Sequence, residues 1–396
     1  MAAIRKYLAV AALILYFKAA ALAELKYNLL YNVFSQGGTG GKQVYDGSGD
    51  QDLTVYEPVL YMDYDVDYNT VLSGSFLLDT FTSASDSIFD AQTGASGGAA
   101  PGLRNNRENG DDAPGGAAAA PLKREWESRQ DYELSLSRRL GKWLVIPSLG
   151  YSQESDYKSS HGGLRFQKSF AEDNFVLEAG ILHFNDQSEV FDLSTARFTG
   201  WSPKVTDTYL LSATQILGTR DIALAGVSFT NQSGNLSGDR NTVDVNGARA
   251  AEILPSGRNR NTCTLRLIHG LNDYLALHFD YRYYTDEWKI NAHTFEPSLA
   301  IGFGPADAGL IRLLYRWYAQ NSALYYKDSF GAKLAYMTSD SDLASFTARE
   351  TGIQGSYRLD LNGGSGELEL GGGIIFYSRS NDLSAVIYQV SIGGSF

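Results

Sequence analysis

The sequence predicts an all-β protein, a transmembrane antiparallel up-and-down β-barrel of about sixteen strands behind a signal peptide. Three observations predict it. The first residues have the order of an export signal, no later stretch is long and apolar enough for a membrane helix, and the chain ends in an alternating strand that finishes on Phe396. Inside lipid, a closed barrel is the alternative to a helix that satisfies every backbone amide. A membrane protein without membrane helices is therefore predicted to be a barrel.

The N-terminal segment has the pattern of a secretory signal peptide. Two basic residues precede the apolar run 7–17, and the Ala-Leu-Ala before Glu24 supplies the small-x-small motif of a cleavage site. Lys18 leaves about 11 uninterrupted apolar residues, whereas a membrane helix needs roughly 20. We expect residues 1–23 to be the signal peptide and residues 24–396 to form the barrel.

Period-two alternation identifies the strands, most clearly in the run 274–284. Large apolar residues at every second position there alternate with Ala276, His278, Asp280 and Arg282. Ionisable groups on one face and apolar groups on the other fit a wet lumen inside and lipid outside. A soluble sandwich can show the same alternation, but the repetition of such runs, with tight turns on one side and long connections on the other, favours the barrel.

The strand count follows from this repetition, with fourteen and eighteen as the alternatives to sixteen. We expect strands near 25–34, 52–67, 69–81, 125–139, 142–156, 158–170, 174–186, 205–217, 220–230, 261–269, 272–286, 290–303, 307–319, 345–361, 365–378 and 383–396. The long connections are expected at 35–51, 82–124, 187–204, 231–260 and 320–345. An even count places both termini on the short-turn side, which is the periplasmic side of an outer-membrane barrel.

Composition narrows the classes of function. The 25 Tyr, 19 Phe and 5 Trp suit aromatic girdles at the membrane interfaces. The net charge of −12 argues against a nucleic-acid partner, which would need a basic face. Cys263 is the single cysteine, so the chain has no internal disulfide and no cysteine-rich metal or haem site. It shares a face with Leu265 and Leu267 and is expected to face lipid.

The connection 82–124 contains a low-complexity segment, 94–121, that is rich in Gly and Ala and poor in bulky apolar residues. Such a segment buries too little surface to offset its ordering entropy, so we expect a flexible outer loop. A plug that folds into the lumen is the alternative.

Asp46, Asp50 and Asp52 place oxygen donors at spaced positions in a Gly-rich loop, as calcium prefers. The later bidentate Glu of a calcium loop is missing, and Gly/Asp loops are ordinary turn chemistry. We therefore expect no cofactor, with calcium as the alternative.

Ionisable residues on the predicted inner face must line water or pair with one another, because they cannot face lipid. One interpretation is a structural lattice of ion pairs, and the other is a pore whose selectivity these charges set. The candidates for lumen-lining residues are Glu57, Asp63, Arg266, Asp280, Arg282, Glu296, Arg312 and Arg316.

No arrangement of catalytic residues stands out in the sequence. The five histidines are scattered, without a Ser-His-Asp order or a paired-His metal spacing. Asp286, Glu287 and His293 form the one group that could serve a barrel hydrolase at the rim. We expect no enzyme and no catalytic residues, with a surface enzyme as an alternative.

Several segments resemble the bacterial outer-membrane-type family catalogued as domain of unknown function 3570. The most specific is Tyr-Arg-Tyr-Tyr-Thr-Asp-Glu-Trp at 281–288, followed by Ala-His-Thr at 292–294. Further matching segments lie at 90–96, 151–159, 255–260 and 315–320. The resemblance implies an outer-membrane barrel without an assigned substrate. It also implies a lipoprotein or redox partner in the envelope, because family members are often encoded beside a small lipoprotein, a thioredoxin-like protein and a flavin transferase.

We expect this barrel to lie in the bacterial outer membrane, among outer-membrane lipids, with both termini periplasmic. A barrel of sixteen strands encloses an aqueous lumen, so a channel or transport porin for small solutes is the favoured function. A structural or docking component of a cell-surface complex, redox- or metal-linked, is the alternative. Phe396 is expected to act as the assembly signal for the barrel-assembly machinery.

Overall fold

The computed structural model of the protein describes residues 24–38, 53–77, 129–154, 157–192, 197–238, 241–361 and 366–395. The signal peptide, the Asp46–Asp52 loop, the connection 82–124 and Phe396 lie outside these ranges. None of the helices in the described ranges is both long enough and apolar enough to cross a membrane.

The described residues form eighteen strands and two short 3-10 turns at Pro305–Asp307 and Ser341–Leu343. In chain order the strands are β1 Leu25–Gly38, β2 Leu53–Asp67, β3 Thr70–Leu77, β4 Gln130–Leu140, β5 Trp143–Gln153, β6 Tyr157–Phe170, β7 Phe175–Asp192, β8 Arg197–Ile216, β9 Asp221–Gly234, β10 Thr242–Val245, β11 Ala248–Ala251, β12 Gly257–Gly270, β13 Leu275–Asp286, β14 Asn291–Phe303, β15 Gly309–Gln320, β16 Phe346–Leu361, β17 Gly366–Arg379 and β18 Leu383–Ser395.

Sixteen of these strands close into one antiparallel barrel, which confirms the predicted fold and strand count. Each barrel strand pairs with its neighbours along the chain, and β9 pairs with β12 across the two short strands that lie between them in sequence. The barrel closes where β1 pairs with β18, from Lys26 opposite Ser395 to Gly38 opposite Leu383. No barrel strand is left with a free edge, which is the requirement for a sheet in lipid.

The register divides the wall into two faces. Residues opposite one another in an antiparallel pair lie on the same face, so the face of one strand fixes that of every other strand. One face is apolar and exposed all round the barrel; its members include Leu134, Leu149, Leu211, Val227, Leu277, Leu313, Ile353, Phe376 and Val390. A continuous exposed apolar belt is stable in lipid and not in water, so this is the outer face.

The predicted long connection 187–204 is wrong. β7 continues to Asp192 and β8 begins at Arg197, and their pairing includes Glu189 opposite Trp201. The polar residues after Asn185 conceal this extension in the sequence. Backbone pairing nevertheless continues through them, since beyond the membrane a strand extension no longer needs an apolar outer face.

The predicted loop 231–260 contains a hairpin that the sequence reading missed. β10 and β11 pair across Asn246 and Gly247, which have φ angles of 54° and 80°. Two consecutive residues with positive φ are typical of a type I′ turn, for which Asn-Gly is a preferred sequence. This hairpin stands at the long-loop end of the barrel, the end opposite both termini.

Candidate functional site

The inner face carries a row of charged residues across five neighbouring strands. The register places Arg266 of β12 opposite Asp280 of β13, and Asp280 opposite Glu296 of β14. Arg316 of β15 lies opposite Glu350 of β16 on the same face. We call these five residues the charged band.

The charged band is held by ion pairs between adjacent strands. Arg266 Nε lies 2.5 Å from Asp280 Oδ1. Arg316 Nη1 lies 2.6 Å from Glu350 Oε1, and Arg316 Nε lies 3.7 Å from Glu296 Oε2. The Glu296 side chain is 45% exposed, against 19% for Arg316. The band therefore combines paired cations with a carboxylate that is open to the lumen.

Arg312 and Arg282 flank the charged band on the same face. Arg312 lies opposite Ala300 and Gln354, is exposed, and forms no ion pair with any residue in the described ranges. Arg282 lies opposite Thr264 and Thr294 and is 8% exposed. Arg312 is thus the candidate whose charge is most available to a solute.

The other two candidates lie on the same face of a distant part of the wall. Glu57 of β2 is opposite Asn32, and Asp63 of β2 is opposite Lys26. Since β2 stands about half-way round the barrel from β13, the structure does not bring these two acids to the charged band. They face it across the lumen.

Two connections at the long-loop end fold together over the inner wall, and we call them the cap. Its first segment is 235–256, of which the structure describes all but 239–240, and its second segment is 321–345. The backbone amide of Asn246 donates to the Phe330 carbonyl at 2.9 Å, and Ile253 and Met337 exchange backbone bonds of 3.0 and 2.7 Å. Leu236 and Ala323 of the cap pack against Tyr284, Tyr318 and other inner-wall residues.

One arginine bonds the cap directly to the barrel wall. Arg379 of β17 donates from Nη1 to Asp342 Oδ1 of the cap at 2.6 Å, and its guanidinium carbon lies 3.7 Å from the centre of the Phe346 ring. A charge-assisted bond with a stacked ring gives the cap a fixed position beside the charged band.

Arg258 acts within the barrel rim. Its Nε donates to Asp286 Oδ2 at 2.9 Å, and its guanidinium lies 4.1 Å from the centre of the Trp288 ring. The Trp288 carbonyl accepts the Leu324 amide of the cap at 2.7 Å, so this rim cluster also contacts the cap.

The structure separates the residues proposed as a hydrolase group. Asp286 is on the inner face, bonded to Arg258 and Tyr284, whereas His293 is on the outer face, where its Nδ1 lies 2.8 Å from the Tyr281 hydroxyl. Glu287 binds Asn259. His293 and Glu296 are three residues apart, so alternation over 291–303 places them on opposite faces of the strand. Since Glu296 was predicted to line the lumen, the sequence could have excluded this group.

Sequence reasoning missed two sets of residues. Glu350 completes the charged band. It lies four residues before Gln354, so alternation along β16 places both polar side chains on the same face and could have identified Glu350. The cap carboxylates Glu252 and Asp340 had no such signal, since they lie in irregular segments that are joined only by the tertiary fold.

Comparison with known proteins places the chain in a family. The family model described as "Protein of unknown function (DUF3570)" matches residues 6–396. The chain belongs to this family. No curated protein matches the chain.

Solved structures with a similar course of the chain include proteins described as outer-membrane proteins. A structure described as a bacterial polysaccharide outer membrane secretin is 10% identical, with a TM-score of 0.46, over 95% of this chain and 98% of that one. CdiB from Acinetobacter baumannii is 10% identical, with a TM-score of 0.48, over 94% and 60% of the two chains. The outer membrane protein opdK from Pseudomonas aeruginosa is 8% identical, with a TM-score of 0.41, over 94% and 99%.

Proposed function

We propose that this barrel is a channel for small solutes and that the charges on its inner face set its ion selectivity. The observation that carries the proposal is Arg312, which is exposed and forms no ion pair with a described residue, beside the charged band on the polar wall of a closed sixteen-stranded barrel. Barrels of this size enclose an aqueous lumen. Charged side chains lining it attract or repel ions through a field that salt only partly screens.

We further propose that the barrel resides in the bacterial outer membrane with both termini in the periplasm. The support is geometric: the described chain begins at β1 and ends at β18 on the short-turn end, and short turns are typical of the periplasmic rim. The same proposal includes two kinds of partner. The barrel-assembly machinery would insert the barrel, and a lipoprotein or redox protein would dock to it.

The channel is tested by recording single-channel currents from the refolded barrel in a planar lipid bilayer. We expect discrete, ohmic openings. A correctly folded barrel that never conducts would refute the channel and favour the structural or docking alternative, which co-purification of a lipoprotein or redox protein would then support.

The selectivity is tested with Arg312→Gln. Removing an available lumen cation should shift the reversal potential in a salt gradient toward cation selectivity. The shift should be larger at 0.1 M than at 1 M salt, because the Debye length falls from about 10 Å to about 3 Å.

Arg349→Gln is the matched control for this measurement. Arg349 is exposed on the outer face of β16, opposite Trp317, so its loss removes the same charge from the other side of the wall. Its reversal potential should equal that of the wild type. An unchanged potential in Arg312→Gln would refute the role of Arg312 in selectivity.

A further inference from the structure

The two cap segments meet at a pair of carboxyl groups. Glu252 is 6% exposed and accepts hydrogen bonds from the Gly238 amide at 2.7 Å and the Thr338 hydroxyl at 2.5 Å. The Asn241 side-chain amide lies 3.4 Å from both Glu252 Oε2 and Asp340 Oδ2. Glu252 belongs to the first cap segment and Asp340 to the second, so this pair forms the junction between them.

The groups that face this junction supply little compensating charge. Asp340 Oδ1 accepts from the Asp342 amide at 2.9 Å. Among the described residues, the cation whose charge acts on Asp340 is Arg379 of the barrel wall. Its guanidinium is already bonded to Asp342 at 2.6 Å. Tyr326, which also faces Asp340, is a neutral phenol whose hydroxyl donates to Asp328. With both junction carboxyls ionised, three carboxylates would share one guanidinium.

Burial makes ionisation of the pair unfavourable. It raises the pKa of Glu252 from 4.5 to about 7, although the bonds from Thr338, Gly238 and Asn241 oppose the rise. It raises the pKa of Asp340 from 3.8 to about 8, where the nearby Asp342 and Glu252 add to the effect. When the segments separate and the carboxyls meet water, both pKa values return toward their ordinary range.

We propose that the cap is a gate whose two segments stay joined while Glu252 and Asp340 hold protons, and separate when both carboxyls are ionised. The separation would uncover the inner wall around Tyr284 and Tyr318, next to the charged band. The effect on conduction rests on the proposed channel function, whereas the separation of the segments does not.

The direction of the pH effect follows from proton linkage. The joined cap binds more protons than the separated cap between about pH 4 and pH 8, so joining weakens as the pH rises through that range and then levels off. Each linked proton changes the ratio of joined to separated cap by up to about tenfold per pH unit.

Hydrogen exchange of the folded barrel reads the cap directly. Three backbone amides donate hydrogen bonds from one cap segment to the other, those of Asn246, Ile253 and Met337. With labelling times corrected for the intrinsic rate, their protection should fall by tenfold or more between pH 5 and pH 8. Amides of β13 should keep their protection, and a cap whose protection does not change with pH would overturn the proposal.

Neutral substitutions test the assignment to this pair. Glu252→Gln with Asp340→Asn should make cap protection independent of pH, whereas Asp328→Asn, which neutralises an exposed acid in the same segment, should keep the wild-type response. A double variant that retains the wild-type pH dependence would overturn the proposal.

A reversible crosslink keeps the inference falsifiable if the double variant damages the cap. Asn246 Nδ2 donates to the Gly331 carbonyl at 2.7 Å, so Asn246→Cys with Gly331→Cys, in a Cys263→Ser background, places two thiols that a short reducible bis-thiol crosslinker can join across the segments. Crosslinking should abolish the pH response of both exchange and conductance, and reduction should restore it. A pH response that persists in the crosslinked form would refute the gate. A barrel that never conducts but shows the exchange response would refute only the channel.

Discussion

Arg312 and Arg316 are four residues apart on the same face of β15, yet their surroundings differ. Arg316 is bonded to Glu350 and lies near Glu296, while Arg312 is exposed between neutral neighbours. Alternation predicts the shared face of both residues. It does not predict which of them is paired, because the partner depends on the register of β16 against β15, and alternation along one strand does not fix its register against the next.

This difference gives a prediction about stability. Arg316→Gln should leave Glu350 without its partner and lower the free energy of unfolding by about 1–3 kcal/mol, as expected when a charged hydrogen-bonding group loses its partner. Denaturant unfolding in detergent micelles measures this change. Adding Glu350→Gln should recover part of the loss, and a double variant that is less stable than Arg316→Gln would show that the pair is not coupled.

The two faces of β13 give a second prediction at the residue scale. Phe279 is on the outer face, edge-on to Phe295 with ring centres 4.7 Å apart. Phe279→Arg should cost about 2–4 kcal/mol if this position lies near the bilayer midplane. Ala276 is on the inner face, opposite Ala300, so Ala276→Gln should change stability by no more than about 0.5 kcal/mol. Equal costs, measured by unfolding in lipid vesicles, would contradict the assignment of faces.

At the scale of elements, the long alternating strands were predictable and the cap was not. β13 and β14 follow the sequence pattern because lipid requires an apolar residue at every second position. β10 and β11 have only four residues each, which is too short for alternation to show. Their turn did carry a signal, because Asn246-Gly247 is a preferred hairpin sequence. The contact of this hairpin with the segment around Phe330 is tertiary, and no local pattern predicts it.

Gly247→Ala tests that hairpin. Gly247 has φ of 80°, where a Cβ atom costs about 1 kcal/mol or more. The substitution should speed hydrogen exchange over 242–251 by several-fold without changing exchange in the barrel strands. Gly331→Ala is the matched control, since a Cβ atom there meets nothing within 4 Å. Equal exchange in the two variants would show that the turn does not hold the hairpin.

At the scale of the whole molecule, the sixteen-stranded barrel was predictable because closure leaves few alternatives. A membrane sheet cannot keep an open edge, so the first and last strands must pair. The structure pairs them with Asn32 opposite Gln389 and Val33 opposite Tyr388. The number of strands followed from counting two-faced runs. The extensions beyond the membrane, as in β7 and β8, did not follow, because lipid imposes no pattern on them.

The closing strand also carries the prediction for assembly. β18 reaches Ser395 opposite Lys26, and the sequence places Phe396 directly after it. The barrel can close only after β18 has been positioned, so a terminal aromatic residue recognised by the assembly machinery would act before the last pairing forms. Deleting Phe396 should lower the heat-modifiable folded fraction in outer membranes, measured by the gel mobility of unheated samples. Phe396→Tyr retains an aromatic terminus and should assemble like the wild type. Full assembly of the deletion variant would show that Phe396 is dispensable and that pairing between β1 and β18 is sufficient for closure.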